Sequence, residues 1–453
     1  MTDVRTLAAD ALLAVEAGTV YAKEAVETVR EEVSDPRDRA LLTEIVYGVT
    51  RRRGTLDAVL STASKVTLPR LDPAVRVALR IGLYQLLFLE RIPAHAAVNG
   101  AVEFAKARTN PRFAGFVNGT LRGIVRGMLG PADGPEDPRR DVPRPGSTPL
   151  RFRRAVFADP ATDPVGNAAA RFSHPAWLVS RWVERHPASV VRSILEVGIS
   201  RPPLSLRAPP GRRGALLSEL SLAGVGARAG AGPDEVLVDD GDPAALAPVR
   251  DGRASVQDGT AQRVAPLLDP RPGDRLLDLC AAPGGKSLHL LDLLGERGEV
   301  VACDASPEKV ASLTATLSAR ASMEGGPRAR VLLVPEKGPL PLAPASFHGV
   351  LVDAPCSNTG VLRRRPEVRD RLRPKDVASL AAQQRVLLER ALALVRPGGR
   401  LVYSTCSIEP EENAGVVDAL LSAHPTLAPV GGFEALPTPE ADGGFAAAFR
   451  VPG

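Results

Sequence analysis

After Asp251 the chain takes up a rhythm that few folds can satisfy: short apolar runs alternate with helix-patterned stretches. The runs are Arg275–Leu279, Glu299–Cys303, Arg330–Val334, Gly349–Val352 and Gly399–Tyr403, and between them lie helical stretches at Ser287–Leu294, Pro307–Arg320 and Val377–Val395. Strands this short and this apolar are covered on both faces, and the intervening helices supply the cover. The expectation for residues 251–453 is an α/β domain wound around a parallel sheet, with any ligand held at the carboxyl ends of its strands.

The rest of the chain reads differently. Residues 1–130 are helical in pattern: Val75, Ala78, Leu79, Leu83, Leu86 and Leu87 recur at steps of three and four, a second run follows from Ala96 to Ala107, and no alternating strand pattern interrupts them. An all-α bundle is expected there. Residues 131–164 are dense in proline and charge and read as an extended linker. Residues 165–250 mix a helical start at Trp177 and Trp182 with proline breaks at 202–203 and 209–210, which suggests a small α+β subdomain.

Composition excludes more than it assigns. With 44% apolar and 24% charged residues, the chain is ordinary globular material. No run approaches the roughly 18 apolar residues of a membrane span, and Asp10 and Glu16 interrupt the first apolar stretch, so a cytoplasmic protein is expected. Four cysteines in 453 residues are too few for a disulfide framework. The net charge of +5 permits a polyanionic partner without requiring one.

The segment Leu276-Leu277-Asp278-Leu279-Cys280-Ala281-Ala282-Pro283-Gly284-Gly285-Lys286-Ser287 runs a strand into a glycine turn that opens a helix. Such a turn lets backbone approach a ligand and presents the free N–H groups of the helix start. A phosphate-binding P-loop needs G-x-x-x-x-G-K-[ST], and Cys280 stands where its first glycine belongs, although Val350–Asp353 could pass for its magnesium-binding strand. The competing reading is an S-adenosylmethionine site. Asp304 favours it, because an acid ending the second strand can take both hydroxyls of a ribose.

Cys356, in Asp353-Ala354-Pro355-Cys356, and Cys406, in Ser404-Thr405-Cys406-Ser407, both fall just past a strand on the expected ligand side. One such cysteine is more often an inert buried thiol; two beside a cofactor loop suggest chemistry. They are too far apart in sequence, and too poor in histidine company, for zinc. Two thiols and a methyl donor suit one difficult reaction, methylation at C5 of a pyrimidine. A thiolate added at C6 makes C5 nucleophilic, and the thiol must be expelled afterwards.

Taken together, CAAPGGKS, DAPC and STCS resemble the motifs of the RNA cytosine-C5 methyltransferases of the RsmB/Sun family. The resemblance extends to the first domain. Gly82–Lys106 and Phe116–Arg122 resemble the NusB-like RNA-binding module, and Ser255–Gln262 resembles the family's approach to its catalytic domain. It implies a NusB-like all-α domain ahead of a Rossmann-like methyltransferase domain, with S-adenosylmethionine as cofactor. The implied substrate is a cytosine of 16S rRNA, met as part of a small-subunit precursor. It further implies Cys406 as nucleophile, Cys356 in product release, Asp353 against the cytosine and the cofactor, Lys286 between the cofactor loop and the base, and Asp304 on the cofactor ribose. Cys280, Ala281, Ala282, Pro283, Gly284 and Gly285 would complete the cofactor loop. A monomer is expected, with no metal, membrane or DNA partner. The same chemistry on tRNA or another rRNA site, and a non-catalytic RNA-binding assembly factor, are the alternatives.

Three positions depart from the family pattern. Val334 is followed by Pro335 and Glu336 where an acid usually contacts the adenine end of the cofactor; Asn358 replaces a glycine after DAPC; and Arg369-Asp370 stands where Arg-Trp is usual. Arg51-Arg52-Arg53 and Arg363-Arg364-Arg365 are candidate phosphate contacts, or simply solvated charge.

Overall fold

The computed structural model describes residues 3–239, 241–321 and 326–453. Two compact units emerge: one runs to Arg201 and also takes in Leu362–Leu372, and the other holds Pro202–Val361 and Arg373–Gly453.

The first unit is built on helices from Val4–Glu16 to Arg112–Gly127. Pro73–Phe88 shows why they form and where they go. Asp72 accepts from the Ala74 N–H at 2.8 Å and Pro73 occupies the first turn, a standard helix start. The helix then buries Val75, Val77, Ala78, Leu79, Leu83 and Leu87, so it is covered on more than the one face its periodicity indicates.

Residues 131–164 are not the extended linker that proline content suggests. Strands β1 (Met128–Pro131), β2 (Asp141–Arg144) and β3 (Ser147–Phe152) form an antiparallel sheet in the order β1-β3-β2. Val142, Leu150 and Phe152 join the same hydrophobic core as the helices. Asp141, fully buried, is paired with Arg151 at 2.7 Å. Pro131 and Pro143 sit on the edge strands, where a missing N–H does least harm.

The expected 165–250 subdomain is also divided. Helices Pro164–Arg171, Ala176–Arg185 and Ala188–Gly198 belong to the first unit. There Thr55 Oγ1 bonds the Arg171 carbonyl at 2.8 Å and the Thr55 N–H donates to Ser173 Oγ at 2.9 Å. Strands β4 (Leu204–Arg207), β5 (Ala227–Ala229), β6 (Glu235–Val238) and β7 (Ser255–Val256) form an antiparallel sheet in the second unit.

Half of the candidate phosphate-binding arginines are interior. Arg51, Arg52 and Arg363 are buried, and Arg51 Nε donates to the Arg363 carbonyl at 3.1 Å. Arg52 donates to the Pro143 carbonyl at 3.0 Å and lies over the Phe88 ring. Arg369, also buried, donates to the carbonyls of Arg51 at 2.9 Å, Ser173 at 3.1 Å and Leu362 at 3.3 Å, and to that of Gly198. These guanidiniums staple Leu362–Leu372 into the first unit, their fixed fork of donors satisfying carbonyls that have no ladder partner.

The second unit is organised by a seven-stranded sheet of β8 (Arg275–Asp278), β9 (Glu299–Asp304), β10 (Arg328–Leu333), β11 (Phe347–Asp353), β12 (Val395–Thr405), β13 (Ala428–Ala435) and β14 (Gly444–Arg450). The order is β10-β9-β8-β11-β12-β14-β13, parallel through the first five and antiparallel where β14 joins β12 and β13. Successive residues point to opposite faces. Leu277, Val301, Val350 and Leu401 meet helices Pro374–Leu392 and Ala414–Ala423, while Leu276, Val300, Leu351 and Val402 meet Gly285–Leu294 and Pro307–Ala321. The winding reverses between β8 and β11, so a crevice opens at the carboxyl ends of that pair. Among the described residues no helix is long and apolar enough to cross a membrane.

Candidate active site

Every functional side chain that the sequence nominates in the second unit lies on the carboxyl ends of β8, β9, β11 and β12 or in the turns that follow. After β8, Gly284 adopts φ +111°, a conformation a side chain would strain, and Gly285 opens the helix that carries Lys286. Lys286 Nζ donates to Asp353 Oδ2 at 2.6 Å, and Ser404 Oγ donates to Asp353 Oδ1 at 2.7 Å. Burial alone would lower the Lys286 ammonium, but the Asp353 carboxylate outweighs it and holds lysine above its usual value.

The two cysteines come together because β11 and β12 are neighbours in register, Asp353 opposite Ser404. Cys356 Sγ and Cys406 Sγ lie 3.2 Å apart and form no disulfide. The Gly360 N–H donates to the Cys406 carbonyl at 2.9 Å and closes one turn on the other. Its hydrogen bond with Cys406, together with burial, pushes the Cys356 thiol well above the ordinary thiol range. Cys303, by contrast, is a core residue of β9 whose thiol burial pushes up to about 12.

Behind the cysteines sits a carboxyl that motif reading passes over. Glu412 is fully buried; its Oε1 accepts from the Ser357 N–H at 2.8 Å and from Gln384 Nε2 at 3.0 Å. Its Oε2 accepts from Ser407 Oγ at 2.6 Å and from Ser357 Oγ. Ser357 follows Cys356 and Ser407 follows Cys406, so one side chain ties both turns. Burial raises its pKa against the lowering effect of these bonds.

Three acids stand at the strand ends around the crevice. Asp278, ending β8, is fully buried; Ser287 Oγ donates to its Oδ2 at 2.6 Å, while Oδ1 has no hydrogen-bond partner. Desolvation pushes this carboxyl up to about 7. Asp304, ending β9, uses Oδ1 to accept the N–H groups of Ala305 and Ser306 at 2.8 and 3.2 Å. Asp353 completes the set. Orphaned and half-used acceptors beside a helix N-terminus fit a ligand with both hydroxyl and ammonium groups and a carboxylate, which describes S-adenosylmethionine and not a nucleoside triphosphate. The loop after β10 offers no acid inward. Pro335 and Glu336 are exposed, and Arg390 binds their carbonyls, each at 2.8 Å.

The profile described as "16S rRNA methyltransferase RsmB/F" matches residues 265–436, and that of the NusB family matches residues 2–126. The chain is 33% identical over 440 residues to the probable ribosomal RNA small subunit methyltransferase B of Bacillus subtilis, covering 94% of this chain and 90% of that one. It belongs to the RsmB/F family. A putative methyltransferase of Mycobacterium tuberculosis, Rv1407, is 39% identical over 399 residues, covering 86% of this chain and 80% of its own. The crystal structure of PH0851 superposes with a TM-score of 0.77 at 24% identity, covering 99% of each chain, which extends the shared fold over both units. In this RsmB/F member, the helices up to residue 126 are the NusB-like part and the seven-stranded sheet is the S-adenosylmethionine-dependent methyltransferase part.

Proposed function

We propose that this chain methylates C5 of a cytosine in 16S rRNA, with Cys406 as the nucleophile. The observation that carries the reading is the pair of thiols 3.2 Å apart in the turns that follow neighbouring parallel strands, beside the Lys286–Asp353 ion pair. Residues 280–286, Asp304 and Asp353 would hold the cofactor. S-adenosylmethionine, when bound, supplies a sulfonium methyl group that a carbon nucleophile can take.

C5 of cytosine is too poor a nucleophile to react unaided. Cys406, having lost its proton to solvent, adds through sulfur to C6. The electrons of the 5,6 double bond move to join C5 and C4, those of the C4–N3 double bond pass to N3, which takes a proton from solvent, and C5 becomes the carbon of an enamine. Asp353, held by Lys286 and Ser404, is the acceptor for the N3–H. Once C5 carries its methyl group, the C5 and N3 protons leave to solvent, the 5,6 double bond re-forms, and the bond from C6 to Cys406 sulfur breaks. Cys356 donates toward the departing sulfur, a role that suits a thiol kept protonated.

The test is transfer of labelled methyl from S-adenosylmethionine to protein-free 16S rRNA and to tRNA by wild type, Cys406→Ala and Cys356→Ala. Label on a 16S cytosine, loss with Cys406→Ala and accumulation of protein bound to RNA with Cys356→Ala are expected. Methylation by Cys406→Ala removes the nucleophile, and label on tRNA alone removes the substrate.

A further inference from the structure

Asn358 stands at φ +59°, where asparagine is tolerated better than most side chains. Its amide reaches both cysteines. Nδ2 donates to the Cys356 carbonyl at 2.7 Å, and Oδ1 accepts from the Cys406 thiol at 3.3 Å. The first bond decides which end of the amide faces the sulfur, because a carbonyl can only accept. A thiol has a single proton. With that of Cys406 directed at Oδ1, the 3.2 Å contact between the sulfurs is a hydrogen bond only if Cys356 is its donor.

We propose that Asn358 is a catalytic residue of this chain: its amide oxygen holds the resting Cys406 thiol and so turns the Cys356 S–H toward the Cys406 sulfur. There that proton stabilises the thiolate that attacks the base. The inference rests on Cys406 being the nucleophile. A glycine at this turn would offer no side-chain donor or acceptor to either cysteine. Asn358 and Cys356 therefore act in opposite directions on one sulfur: the amide bond favours the thiol, and the Cys356 bond, which a thiolate keeps because it can only accept, favours the thiolate.

The test is the pH dependence of iodoacetamide alkylation of Cys406, followed by mass spectrometry of its peptide in the full chain without RNA or cofactor. Asn358→Gly removes the acceptor for the thiol and is expected to move the midpoint down by about half to one pH unit, the effect of one modest hydrogen bond. Asn358→Asp places a negative charge there and moves it up. Cys356→Ala removes the donor to the thiolate and also moves it up. An unchanged midpoint in Asn358→Gly overturns the proposal. So does an upward shift, which would put the amide N–H against the sulfur. An unchanged midpoint in Cys356→Ala overturns it too. Methyl transfer by Cys406→Ala would refute the nucleophile whatever the midpoints are, whereas unmoved midpoints with an inactive Cys406→Ala refute only the part given to Asn358.

Discussion

Arg369 donates to the backbone carbonyl of Arg51 across 2.9 Å, two residues 318 positions apart in the chain. With its further bonds to Ser173, Gly198 and Leu362, this one side chain satisfies carbonyls from four separate stretches. Arg369→Ala leaves them buried without their donor and is expected to cost the first unit about 3 kcal/mol of stability. Arg369→Lys restores only part, since an ammonium lacks the planar fork. Urea unfolding measures both, and wild-type midpoints would show that Leu362–Leu372 is held by something else.

Glu412 is a positioning residue, because it touches the serines after each cysteine and not the thiols themselves. Glu412→Ala is expected to lower kcat for methyl transfer by about tenfold or more, as misplaced reacting groups do, with KM for RNA little changed. Glu412→Gln keeps an acceptor oxygen and recovers much of the loss. A fall confined to KM, or no rescue by glutamine, would contradict this part.

Asp278 predicts a pH dependence. Burial keeps its carboxyl protonated up to about pH 7 in the folded chain, against an ordinary value of 3.8. Between those values the folded state binds the additional proton, so this group's contribution to stability falls as pH rises and levels off above about 7. Asp278→Asn should flatten that slope in thermal unfolding measured from pH 4 to 8. An identical slope in the variant would place the titration elsewhere.

The sheet within 131–164 is testable through its core. Phe152 is buried against the helices of the first unit. Phe152→Ala should therefore cost about 3 kcal/mol, the usual order for a large ring removed from a packed core. A loss below 1 kcal/mol would return this stretch to the status of a tether.

The sheet was readable because buried parallel strands are apolar along their whole length, and the five parallel strands fall within a few residues of their expected places. β13 and β14 escaped notice for the opposite reason. Ala446, Ala447 and Ala448 carry little strand signal, and Gly431-Gly432 reads as a break. In the site, Lys286, Asp353, Cys356 and Cys406 were legible because each belongs to a short motif, CAAPGGKS, DAPC or STCS, at or after the end of a strand. Glu412 was invisible beside Glu409 and Glu411: Glu409 is buried as well, and which of these acids reaches the two cysteine turns depends on tertiary packing. Arg51 and Arg363 misled for a related reason: a run of arginines looks solvated in one dimension, although a guanidinium can be buried when carbonyls from distant segments converge on it.

The excursion of Leu362–Leu372 changes what it means to divide this protein. A chain assembled by placing one gene segment before another would pass from the first body to the second and stay there. This one goes back, leaving a stitch a few residues beyond Cys356 and then resuming. Scissors at Arg201 would therefore not yield two self-sufficient pieces: the downstream piece would keep Arg369 and lose Arg51, Ser173 and Gly198, the carbonyls it was made to hold.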